Sequence, residues 1–266
     1  MSKSNRIACN PAATPSSPDR RRSTVGTLRA PPRAPRHPPT PRDLQHSVLP
    51  QPASPSADAP RLSATGLACR RGSRLLFKGL AFEVSNGEIV WLRGRNGRGK
   101  TSLLRLATGL ATPEEGSILR DGLPASQPGR RFVFIGHANA LKDDLTVGES
   151  LQFLLRLHGR ACGPQAVHAA LEHMGLHGRR HAMVRTLSQG QRRRVALARL
   201  AVEDQDEAPL WLLDEPFDAL DVDGVERLND LLVAHVKRGG GVLLTSHLPL
   251  DTARLRPREV DLDGFA

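Results

Sequence analysis

Gly94-Arg-Asn-Gly-Arg-Gly-Lys100-Thr101 fits the spacing G-x-x-x-x-G-K-[ST]. It lies between an apolar run at Glu88–Arg93 that predicts a strand and a stretch at Lys100–Thr108 that predicts a helix, with Leu103, Leu104 and Ala107 on its apolar face. Strand, glycine loop and helix in that order mark a phosphate loop. The glycines let successive backbone N–H groups turn toward β- and γ-phosphate oxygens, and the helix start adds its positive end. Gly94, Arg95, Asn96, Gly97, Arg98, Gly99, Lys100, Thr101 and Ser102 are therefore the expected nucleotide-binding residues. Lys100 supplies a mobile charge to the phosphates and Thr101 a hydroxyl for Mg²⁺, while the loop backbone does most of the holding. The side chains of Arg95 and Arg98 read as solvated.

Around this loop the hydrophobic pattern switches between the periods of strands and helices. Leu62–Cys69 and Leu80–Val84 alternate as antiparallel strands do, and further strands are expected at Ser117–Arg120 and Arg131–Ile135. The middle third turns helical. Thr146-Val-Gly-Glu149 fits a capping box ahead of a helix to His158, and a second helix is expected over Gln165–Met174 with Gly175 at its end. Ser188-Gln-Gly-Gln191 is another capping box, opening an amphipathic helix that contains Val195, Leu197, Ala198 and Leu200. Leu210–Leu213 is short and wholly apolar, as strands buried on both faces of a parallel sheet are. A helix at Val222–Val236 and strands at Gly241–Thr245 and Glu259–Leu262 complete the pattern. The expected fold class is α/β: a phosphate-loop core of mainly parallel sheet, an antiparallel β edge and a helical subdomain over about 140–202.

Composition divides the chain near Arg61. Residues 1–60 hold 13 of the 21 prolines, and their nine basic and three acidic side chains carry +6 of the net +11. Proline at that density excludes helices and central strands, and few large apolar residues are left to offset chain entropy. The segment is expected to be disordered, the alternative being a natural start further downstream, and the folded domain is placed at 61–266. The small surplus of positive charge left in the body argues against nucleic acid as a partner. A transit peptide would need an amphipathic helix that the prolines forbid. No stretch approaches the roughly 18 consecutive apolar residues of a membrane-spanning helix. Cys9, Cys69 and Cys162 are odd in number and widely spaced, so neither a disulfide framework nor a zinc site is expected.

Leu210-Trp-Leu-Leu-Asp214-Glu215 delivers two acids to the C-terminal edge of the sheet, where an open α/β fold binds its ligand. Two adjacent acids there suggest divided work, with Asp214 holding the Mg²⁺ shell and Glu215 orienting and polarising the attacking water. Leu187-Ser-Gln-Gly-Gln191 falls between Lys100 and Asp214, and Asp218-Ala-Leu-Asp221 and Ser246-His247 follow. This ordered set, over residues 61–250, resembles the ATP-binding cassette ATPases. The resemblance implies a head-to-tail homodimer that sandwiches two ATP molecules. Ser188, Gln189, Gly190 and Gln191 of one copy would meet the γ-phosphate held by the other copy's Lys100, Asp221 would belong to the D-loop, and His247 would touch the same γ-phosphate as a catalytic partner of Glu215.

Two positions depart from that family pattern. The aromatic residue that usually stacks on adenine would lie near Arg70–Gly72, where only arginines stand in a chain without tyrosine. Arg71 is the candidate to stack its planar guanidinium on the base, a solvated basic turn being the alternative. In Phe134-Ile-Gly-His137, His137 occupies the place where most members carry a glutamine that reaches Mg²⁺ and the attacking water, which makes it a further candidate metal contact. Ile135-Gly-His137, Phe217-Asp-Ala-Leu-Asp-Val-Asp-Gly224 and a C-terminus just past the last strand, with no regulatory domain, resemble the ATP-binding subunits of cytochrome c maturation exporters. That resemblance implies an ATPase with ATP and Mg²⁺ as cofactors, peripheral on the cytoplasmic face of the inner membrane. It would drive integral membrane subunits of a haem-export and cytochrome c maturation complex. Two other readings stand beside it: an ATPase of a transporter for another cargo, and a soluble cassette acting on ribosomes or nucleic acid, which a single cassette without sustained heptads disfavours.

Overall fold

The computed structural model describes residues 60–129, 132–160, 163–202 and 208–265. The disorder expected of the proline-rich segment, along with Cys9, Cys162 and Arg131, lies outside the described residues. Strands β1 (Leu62–Arg71) and β2 (Arg74–Val84) form an antiparallel hairpin over Gly72 and Ser73. Both run longer than the alternation predicts. Register shifts between Ala64 and Arg70, with positive φ at Gly66 and Gly79, break the period of two on which a sequence reading depends. Strand β3 (Ile89–Arg93) leads through the glycine loop into helix α1 (Lys100–Thr108), which ends where Gly109 turns left-handed and donates its N–H back to Leu106 O. Strand β4 (Glu115–Arg120) pairs with the other edge of β1, and the two-residue β5 (Leu123–Pro124) pairs with β4. The antiparallel sheet thus has the order β2-β1-β4-β5.

A second sheet is wholly parallel. Strands β6 (Phe132–Ile135), β7 (Leu210–Leu213), β8 (Val242–Thr245) and β9 (Arg258–Asp261) join β3 in the order β6-β7-β8-β3-β9. Between β6 and β7 the chain passes through α2 (Val147–Leu157), α3 (Pro164–His173) and α4 (Gln189–Leu197). Helix α5 (Val222–Lys237) links β7 to β8, and the single-turn α6 (Thr252–Leu255) precedes β9. Both expected capping boxes are present: Thr146 with Glu149 starts α2, and Ser188 with Gln191 starts α4. The helix expected to continue through Leu200 instead tightens into a 3₁₀ turn at Ala198–Ala201, where the buried Arg160 guanidinium donates to the carbonyls of Arg199 and Val202.

The continuous apolar runs of the parallel strands are explained by two cores. Ile89, Trp91, Trp211, Leu213, Val242 and Leu244 pack on one face with residues of α2 to α5, such as Leu151, Leu171, Val195 and Leu228. Val90, Leu92, Leu210, Leu212 and Leu243 pack on the other with Leu103 and Leu104 of α1 and with Leu67, Phe77 and Ile118 of the antiparallel sheet. A strand read alternately by two apolar layers has no position for a polar side chain. Polar residues are therefore displaced to the strand ends. Because β3, β6, β7 and β8 run parallel, the segments that follow them emerge along one edge.

Candidate functional site

The first of these segments is the glycine loop. Gly94, Gly97 and Gly99 have φ of 133°, 76° and 105°. A side chain at Gly99 would meet Leu76 and the Phe77 ring at 3.1 Å in a conformation that L residues disfavour, so this turn admits only glycine. Lys100 is 8% exposed, and its Nζ donates to Gly94 O at 2.7 Å, which folds its charge back over the loop. The terminal turn braces the loop from outside: Asp263 Oδ2 accepts from the Arg95 backbone N–H at 3.2 Å and Asp263 Oδ1 from Arg98 Nε at 2.9 Å. Arg98 is thus a part-buried anchor rather than the solvated side chain expected of it, whereas the Arg95 side chain does extend into solvent.

Asp214 and Glu215 follow β7 and are both buried. Asp214 Oδ2 accepts from Thr101 Oγ1 at 2.9 Å and Asp214 Oδ1 from Thr245 Oγ1 at 3.0 Å. The same Thr245 hydroxyl accepts from the Glu215 backbone N–H at 2.9 Å. One hydroxyl at the end of β8 therefore ties down both acids. Glu215 has φ 50°, a left-handed conformation costly for a residue with a side chain, so its neighbours must hold it. Its carboxylate meets the segment after β8, accepting from the His247 backbone N–H at 2.7 Å and lying 3.2 Å from His247 Nε2. His137 follows β6, with Nδ1 3.8 Å from Asp218 Oδ2 and most of its ring exposed.

These groups converge on one cleft of about 290 Å³, lined by residues 95–102, His137, Asp214, Glu215, Asp218 and His247, with Arg71 beside them. Arg70 is held by Glu114 and by the Ser73 carbonyl, whereas the exposed Arg71 guanidinium has no ion pair among the described residues. The second cluster foreseen from the sequence lies elsewhere. Ser188, Gly190, Gln191 and Asp221 line a separate cleft of about 370 Å³, and Gln189 is exposed at the start of α4. At Gly190 an added Cβ would stand 2.6 Å from Ala219 O, so the α4 tip and the 218–221 segment touch through backbone. Asp221 caps α5 by accepting from Gly224 N at 2.9 Å and pairs with Arg194; these bonds hold its carboxyl below the usual range. A single copy carries both clusters without bringing them together.

Sequence reasoning quoted Asp218 as part of a motif but gave no role to it, to Thr245 or to Asp263. The signal for Thr245 was a hydroxyl ending an otherwise apolar strand that enters the candidate cleft. Nothing local marks Asp263, whose role depends on β9 lying beside β3.

A phosphate loop, two strand-end acids and a separate helix-tip cluster define an ATP-binding cassette ATPase. The family model described as ABC transporter matches residues 77–218. The cytochrome c biogenesis ATP-binding export protein CcmA of Pseudomonas savastanoi pv. phaseolicola is 44% identical over 211 residues, covering 78% of this chain and 97% of that protein. The protein of the same name from Pseudomonas putida is 46% identical over 209 residues, covering 77% and 98%. The chain belongs to the ABC transporter family, among the cytochrome c biogenesis ATP-binding export proteins. Solved structures agree on the fold. An ABC transporter ATP-binding protein from Pyrococcus furiosus superimposes with a TM-score of 0.67 at 24% identity, covering 77% of this chain and 98% of that one. A dimeric, post-hydrolysis ATP-binding cassette bound to ADP and Pi gives 0.63 at 21% identity, covering 75% and 93%. Among the described residues no helix is long and apolar enough to cross a membrane.

Proposed function

We propose that this chain is the ATP-hydrolysing subunit of the exporter that serves cytochrome c maturation, working as a pair of copies on the cytoplasmic face of the inner membrane and driving separate integral subunits. The observation that supports it best is the convergence of four parallel strand ends on one phosphate-binding cleft, in a chain with relatives of that name along nearly their whole length. The cassette domain is assigned to 61–266, with its helical subdomain at about 140–202.

In this reading the loop N–H groups and the start of α1 hold the phosphates, and Lys100 leaves Gly94 O to reach them. Arg71 stacks on the base. The paired oxygens of Thr101 and Asp214 are hard donors of the kind Mg²⁺ takes, and the ion when bound would neutralise charge on the β- and γ-phosphates. Glu215, aimed by Thr245 and the His247 backbone, accepts a hydrogen bond from the attacking water and polarises it, and the His247 ring contacts the γ-phosphate. His137 stands near the same water. Ser188, Gly190 and Gln191 of the second copy close the cleft with the N–H groups of their helix tip, which explains why the two clusters lie apart in one chain. Tighter binding of ATP than of ADP by the closed pair then drives hinge motion that the helical subdomain passes to the membrane subunits.

The test is to purify the full chain from membranes with whatever integral subunits accompany it, identify them and measure ATP turnover beside Lys100→Ala. Haem-handling partners and loss of turnover in the variant are expected. An unrelated permease would overturn the export assignment, and turnover undiminished in Lys100→Ala would overturn the site.

A further inference from the structure

Arg193 lies in the middle of α4, only 3% exposed, yet its guanidinium contacts neither a candidate phosphate-binding residue nor the exposed helix tip. It reaches through the core to the backs of two loops. Nη2 donates to Asp214 O at 2.9 Å and to Glu215 O at 2.7 Å, and Nε donates to Pro216 O at 3.4 Å. Nη1 donates to Gly136 O at 2.9 Å and to Asn139 Oδ1 at 3.2 Å. One planar cation thus fixes the turn that carries both acids and the loop that carries His137, and it does so from the helix that Ser188 caps.

Burying a guanidinium against neutral oxygens is costly, and here desolvation pulls its pKa down against the opposing charges of Asp218, Asp214 and Glu215. An apolar side chain would fill the same volume more cheaply, so packing alone does not account for an arginine here. What the fork supplies is geometry. Glu215 keeps its left-handed backbone because its N–H is held by Thr245 and its carbonyl by Arg193. Loss of the second tether frees the peptide that sets the direction of the Glu215 side chain, and the Gly136–Asn139 loop loses its fixed distance from that turn. Resting on the site assignment above, we propose that Arg193 is a positioning residue for ATP hydrolysis, locking the Glu215 turn and the His137 loop to the helix whose tip meets the second copy's nucleotide.

Lysine cannot reproduce this role, because a single ammonium with three donors cannot span five acceptors on two loops. The experiment compares Arg193→Lys and Asn139→Ala with wild type in the complex purified from membranes. It measures kcat and KM for ATP, the affinity of a fluorescent ATP analogue, and the unfolding temperature. Arg193→Lys is expected to lower kcat about 30-fold or more, as misplacement of reacting groups by an ångström does, with KM and analogue affinity within about threefold of wild type. Asn139→Ala, which removes one acceptor from a partly exposed loop, should lower kcat several-fold by the same split.

Wild-type kcat in Arg193→Lys would overturn the proposal. So would a parallel fall of kcat, analogue affinity and unfolding temperature, since that is the signature of a packing role. If Arg193→Lys does not fold, Asn139→Ala decides, and an unchanged kcat there refutes the idea. Failure of the underlying site shows separately, as undiminished turnover in Lys100→Ala, and removes this proposal with it.

Discussion

Thr245→Val isolates a single hydroxyl at the point where both acids are held. Valine has nearly the shape of threonine, and Thr245 is fully buried at the end of β8, so packing is preserved while two hydrogen bonds vanish. The Glu215 N–H is left without its partner, at about 1–3 kcal/mol, and the Asp214 carboxylate loses a charge-assisted bond worth about 1.5–3 kcal/mol. With Asp214 and Glu215 both buried, water can replace little of this, and a destabilisation of about 3–5 kcal/mol follows. For a domain of this size that lowers the unfolding midpoint by roughly 6–20 °C. Because the lost bond also anchors the strained Glu215 backbone, turnover should fall about ten- to a hundredfold at saturating ATP. Differential scanning calorimetry and a phosphate-release assay read the two effects, with Thr245→Ser as the control that restores the hydroxyl and recovers most of the activity. If the valine variant matches wild type in both assays, or if serine is no better than valine, the hydroxyl is not what holds the acids.

Gly190→Ala drives a methyl group into Ala219 O; turnover should drop at least tenfold while nucleotide affinity stays near wild type, and full activity would show that the α4 tip need not touch the 218–221 backbone. For Arg71→Ala the dissociation constant for ATP should rise about two- to fivefold, the value of an exposed cation–π stack, and an unchanged constant would leave Arg71 as surface charge. His235 lies stacked on Trp211 with ring centroids 3.6 Å apart and donates from Nε2 to Pro209 O, and burial pushes its pKa from 6.5 down to about 4. The folded state thus prefers the neutral ring, so its contribution is complete above pH 6.5 and shrinks as pH falls toward 4, by about 2 kcal/mol at pH 5. Urea unfolding at pH 7 and pH 5 should show this loss in wild type and its absence in His235→Phe; equal losses in the two proteins would exclude His235 as the source.

The main elements were legible because their signals are local. The phosphate loop announces itself by glycines between two periodic segments, the two capping boxes by side chains three residues apart, and β7 and β8 by apolar runs that Thr245 alone interrupts, at the end of β8. The hairpin β1–β2 was only half visible, since its bulges reset the alternation and Arg70, Arg71, Arg74 and Lys78 mask the strand character that pairing imposes. Within the cleft, residues that follow a strand end could be placed in advance, as Asp214, Glu215 and His247 were. Arg193 and Asp263 could not, because each acts across the fold: Arg193 on loops 54 and 21 residues or more away, and Asp263 on a loop 165 residues earlier. In the sequence Arg193 is one of three consecutive arginines, and only the folded core separates it from its less deeply buried neighbours.

The brace that Asp263 gives the glycine loop sets an order of events during synthesis. Every residue of the loop and of α1 emerges from the ribosome long before β9 takes its place beside β3 and the final turn brings Asp263 against Arg95 and Arg98. A nascent chain stalled ahead of Leu262 would display each recognisable motif and still lack the clasp that shapes the first of them. The glycine loop thus takes its finished shape only after a turn more than 160 residues further along the chain has been made.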